Sequence, residues 1–104
     1  MFNINGETWH LVFVSPGHPC LMRSDGSITI GMCDDDVKRI YIDDTLDLAL
    51  MRKVLAHEVT HAAMFSYNVE LSHQQEELVA TLIDTYGQEI IYITNQIFNR
   101  IKHL

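Results

Sequence analysis

An α+β domain is predicted: a small, mainly antiparallel sheet of three to four strands, then a long helix and one or two C-terminal helices. Three observations predict it. β-branched and aromatic residues cluster in short runs before residue 43, no Gly or Pro interrupts residues 46 to 66, and a capping pattern follows at Ser72. A chain of 104 residues, 47% hydrophobic and without low-complexity tracts, is most simply one domain over residues 1–104.

Residues 8 to 14 (Thr-Trp-His-Leu-Val-Phe-Val) read as a strand closed by Ser15-Pro16-Gly17. His10 lies within it and His18 in the following loop, each more simply a surface histidine than a ligand. Cys20 to Arg23 is short, turns at Ser24-Asp25-Gly26-Ser27, and is followed by a strand pattern at Ile28 to Met32, so a hairpin is expected. Asp34-Asp35-Asp36 breaks the chain before a further strand at Val37 to Ile42.

Leu46 to Phe65 reads as one helix, with Asp43, Asp44 and Thr45 as N-cap candidates and a stop near Ser66-Tyr67-Asn68. Leu50, Val54, His61 and Phe65 share one side of it. Ala49, Ala56 and Ala63 recur every seven residues on another face, where close approach of a neighbour and plain helix propensity account for them equally. Ser72 and Gln75 form a capping box that starts a helix at about His73, with Val79, Leu82, Ile83 and Tyr86 as its apolar stripe. Ile90, Ile93, Ile97, Ile101 and Leu104 continue at helical spacing. They predict a helix from about Gln88 to Lys102, either continuous with the preceding one or broken at Gly87. A strand at Ile90 to Thr94 is the alternative.

The net charge of −7 argues against nucleic acid as a partner, since phosphate binding needs Lys and Arg. No apolar run approaches the length of a membrane span, and the start lacks the features of a signal peptide, so a cytoplasmic protein with no membrane partner is expected. Cys20 and Cys33 form no C-x-x-C pair. Reduced thiols are expected for that compartment, although spacing alone does not decide whether they pair.

Specific chemistry is written into one segment, His57-Glu58-Val59-Thr60-His61. Histidines four apart share a helix face and can reach one metal ion, while the intervening Glu58 stands beside a metal-bound water without ligating. Two histidines bordering a core can instead simply be hydrogen-bonded. A catalytic zinc site needs a third protein ligand, and the candidates are Glu70, His73, Glu76 and Glu77. Glu70 and His73 fall in or next to a turn. If the stripe around Val79 and Tyr86 faces the core, Glu76 lies at its margin and Glu77 nearly opposite, so Glu76 is the expected ligand and Glu77 the alternative.

His57-Glu58-Val59-Thr60-His61, with Glu76 fifteen residues after His61 and Leu78-Val79-Ala80 following, resembles the zincin metallopeptidases of the gluzincin type. It is similar in particular to the compact ImmA/IrrE-like peptidases of bacteria and phages. The resemblance covers about residues 37 to 86; Thr60 stands where those peptidases commonly carry Gly. It implies zinc held by His57, His61 and Glu76, a peptide or protein substrate, and Glu58 as general base. Tyr67, His73 and Tyr92 are open candidates for stabilising the oxyanion. The rival expectation is a scaffold of this type that binds a regulatory protein without turnover.

Overall fold

The computed structural model describes residues Met1 to His103. Four strands form one sheet: β1 (Phe2–Ile4), β2 (Glu7–Val14), β3 (Gly31–Asp34) and β4 (Arg39–Asp43), in the order β1-β2-β4-β3. Two helices follow, α1 (Leu48–Ser66) and α2 (His73–Ile101). The α+β architecture is as expected; several details differ.

β1 and β2 form a hairpin closed by Asn5-Gly6, both at positive φ (49° and 79°), with Ile4 paired to Glu7. A two-residue Asn-Gly loop of this kind matches the twist of its flanking strands, which explains a first strand that β-propensity alone did not mark. The β1–β2 and β3–β4 pairs are antiparallel, but the central β2–β4 pair is parallel. A parallel neighbour requires a crossover. Residues 15 to 30 supply it, carrying the chain to the far edge so that β3 pairs outside and β4 returns between β3 and β2.

The hairpin expected at residues 20 to 32 is reduced to a single bridge between Met22 and Ile28. Pro19 instead opens a short 3-10 turn, Pro19–Leu21, whose Leu21 is completely buried. Asp25 Oδ1 accepts from the backbone and hydroxyl of Ser27, which closes the loop before β3 begins at Gly31.

α1 is capped by Asp47, whose side chain accepts from Leu50 N at 2.8 Å. None of the expected caps serves: Asp43 Oδ1 accepts from the backbone and hydroxyl of Thr45, in a turn that ends β4 four residues before the cap. Met51, Val54, Val59 and Ala62 set α1 against Trp9, Ile40 and Ile42, the fully buried centre of the sheet. The Trp9 indole N–H donates to Ser66 Oγ at 2.8 Å, fixing the last turn of α1 to β2. Leaving either group unpartnered there would cost about 1–3 kcal/mol.

α2 starts at the predicted capping box, with both reciprocal bonds of Ser72 and Gln75 formed. It then runs unbroken through Gly87 to Ile101. Leu104, the last position of the expected stripe, lies outside the described residues. The face of α2 turned to α1 is not the apolar one. Ala80 is buried and Glu76, Glu77, Val79, Asp84 and Gly87 are half-buried, whereas Leu82, Ile83 and Tyr86, the rest of the expected stripe, are 49%, 42% and 54% exposed. No helix among the described residues is long and apolar enough to cross a membrane.

Candidate metal centre

One helical turn separates His57 from His61, and α1 directs both rings into a cleft of about 880 Å³ between β3, α1 and the first half of α2. The ring centroids are 5.0 Å apart and the two Nε2 atoms 3.3 Å apart. Glu77 reaches across from α2, with Oε1 2.9 Å from His61 Nε2 and Oε2 3.3 Å from His57 Nε2. One ligand atom from each of these three residues lies within 4.8 Å of the others, so His57, His61 and Glu77 can hold a metal ion.

The opposite ring nitrogens are occupied. His57 Nδ1 lies 2.8 Å from Asp84 Oδ2, and His61 Nδ1 lies 2.6 Å from Glu76 Oε1. A carboxylate on Nδ1 fixes the proton there, leaving the Nε2 lone pair facing the cleft. Both Nε2 atoms and the Glu77 carboxylate then converge as acceptors with no donor among them. That donor set suits a shared cation.

Glu76, the expected third ligand, therefore stands behind His61 instead of beside Glu77. The expectation assumed that the Val79–Tyr86 stripe packs inward. Because Ala80, Asp84 and Gly87 supply the contact face, α2 is rotated and Glu77 is brought to the Nε2 side. Asp84 escaped notice in the sequence. The available signal was its spacing of seven residues from Glu77, two helical turns on the same face. Burial pushes the Asp84 carboxyl upward, but hydrogen bonds from Lys53, Thr85 and His57 and the Lys53 charge outweigh it, and its pKa is lowered. Lys53 Nζ lies 2.7 Å from Asp84 Oδ1.

Glu58 is 7% exposed and lines the same cleft. Burial raises its pKa against the opposing pull of His61 and His57, and no hydrogen bond contributes. Gly31 of β3 makes this placement possible. A Cβ there would lie 2.5 Å from Val54 Cγ1 and 3.1 Å from Glu58 Oε2, so a side chain would have to displace Val54 and crowd Glu58.

Of the three oxyanion candidates, His73 lines the cleft; Tyr67 and Tyr92 are 59% and 63% exposed and do not. Arg23, not singled out from sequence, brings a cation to the opposite wall, where its charge acts on Glu58. Cys20 and Cys33 are free thiols. Burial, with Glu58 next in effect, drives the Cys33 pKa far up, so it remains a neutral thiol at the cleft wall. The chain matches no protein-family model and no curated protein.

Proposed function

We propose that the chain is a zinc-dependent peptide hydrolase, with His57, His61 and Glu77 as protein ligands and Glu58 as general base. The observation that carries this reading is the pair of Nε2 atoms turned toward a shared carboxylate, each imidazole backed by a carboxylate on its other nitrogen. Two imidazoles and one carboxylate, with a position left for water, is the donor set of catalytic zinc in hydrolases.

When bound, zinc polarises the scissile carbonyl and brings the pKa of its water toward about 7. Glu58 accepts the proton of the attacking water on its carboxylate and delivers it to the departing amine as the C–N bond breaks. Its raised pKa suits both halves of that transfer. Asp84 and Glu76 hold the two rings in position and keep their Nδ1 protons. β3 is an edge strand bordering the cleft, so an extended substrate has an unpaired strand edge against which to lie.

The decisive comparison is wild type against Glu58→Gln, each loaded with zinc and offered a proteome-derived peptide library. Cleavage by wild type alone, with equal zinc content, supports hydrolysis. Absence of cleavage by zinc-loaded wild type contradicts it. A biological effect that survives Glu58→Gln favours the rival class, a metal-stabilised module that binds a regulatory protein.

A further inference from the structure

We propose that the C-terminal half of α2 is a dimerisation element that packs antiparallel against the same segment of a second copy of the chain. Gln88 marks the end of the contact with α1. In the amide orientation that satisfies both groups, its side-chain oxygen accepts from the Arg52 guanidinium at 2.9 Å. Every residue from Gln88 to Ile101 is exposed. At 1.5 Å per residue, about 20 Å of helix stands clear of the body, and the molecule is 55 Å long against 31 and 27 Å across. This segment gains nothing from packing in the monomer, whereas most helical stability in proteins comes from packing of an apolar face.

The sequence of the projecting segment fits that need. Ile90, Ile93, Ile97 and Ile101 lie within about 80° of helix surface and extend the exposed stripe of Ile83 and Tyr86. Ile91 and Phe98 widen it on the flank that faces α1 further back along the helix. These side chains are each about half exposed; with Ile83 and Tyr86 on the same side they offer on the order of 900 Å². A standard interface takes about 800 Å² from each partner, and a contiguous apolar patch larger than a few hundred Å² marks an interaction surface.

Charge identifies the occupant and its direction. Glu89 and Arg100 lie on the same flank of the stripe, within about 20° of each other and three turns apart. An antiparallel pair that sets Ile93 of each chain against Ile97 of the other brings Glu89 beside Arg100 at both ends. In a parallel two-fold pair this flank of one chain would face the opposite flank of the other, so Glu89 and Arg100 would lie against Ile91 and Phe98 and find no opposite charge. An anionic lipid surface fits poorly, since the projecting segment has only Arg100 and Lys102 as fixed cations and the chain carries a net charge of −7. This inference is independent of the metal centre.

The test is sedimentation equilibrium of the full chain from micromolar to submillimolar concentration. The expected result is a doubled mass that is lost in the variant Ile93→Asp/Ile97→Asp, with circular dichroism showing that the fold is kept. Glu89→Arg and Arg100→Glu should each weaken self-association about tenfold, and an equimolar mixture of the two should restore it. A monomer throughout the range, a dimer indifferent to Ile93→Asp/Ile97→Asp, or a mixture that does not recover would overturn the proposal. So would a chain that stays monomeric in solution and pellets with phosphatidylserine vesicles.

Discussion

His57 and His61 turn their Nε2 atoms toward each other at 3.3 Å, close enough to share one proton or one metal ion. Glu58, Glu76, Glu77 and Asp84 surround the pair, answered by Lys53 and Arg23. The local excess of negative charge favours a cation in the cleft.

Consecutive glutamates should behave differently. Glu77→Ala removes a proposed ligand, while Glu76→Gln removes only the carboxylate behind His61 and should weaken zinc affinity about 10–100-fold. The larger loss is expected for Glu77→Ala. Competition with a chromophoric chelator measures both, and the reverse order would return the ligand role to Glu76.

Asp84→Asn should also lower zinc affinity about 10–100-fold, through the loosened His57 ring. It should change acid stability as well. The folded-state pKa of Asp84 is lowered, so its contribution is complete above the unfolded value near 3.8 and is lost as pH falls through the lower folded value. Thermal melts of metal-free protein across acidic pH should show that part of the slope in wild type and its loss in Asp84→Asn.

Glu58→Gln should abolish hydrolysis and leave zinc content unchanged. In metal-free protein it should also stabilise the fold, because a buried carboxylate with a raised pKa is replaced by a neutral amide of the same shape. A gain of about 1 kcal/mol would raise Tm by about 4–8 °C in a domain of this size. An unchanged or lowered Tm would show that Glu58 is better solvated than the structure indicates.

Gly31→Val should destabilise the chain by about 1–3 kcal/mol through overpacking against Val54 and Glu58, with a matching drop in the denaturant midpoint. Gly26→Ala should be milder. That position has open space around it and only its φ of 86° resists a side chain.

The elements legible in the sequence were those governed by local rules. The Ser72–Gln75 capping box begins α2 where expected, and the glycine-free stretch up to Ser66 is one helix. The missed β1 was equally local, since Asn5-Gly6 is a strong hairpin signal that follows only a short strand. The crossover that makes β2 and β4 parallel was not legible, because strand order depends on where residues 15 to 30 travel. The relative placement of Glu76 and Glu77 was not legible for a related reason. An apolar stripe shows which face seeks cover, not what covers it, and here Ala80 and Gly87 let a polar face of α2 approach α1 while Ile83 and Tyr86 stay open. Glu77 and Asp84 follow from that rotation.

The most direct test of the metal centre is zinc stoichiometry after reconstitution and desalting, measured by elemental analysis on wild type and His61→Ala. One zinc per wild-type chain and none in His61→Ala is the predicted result; wild type that retains no zinc, or His61→Ala that retains as much, would contradict it.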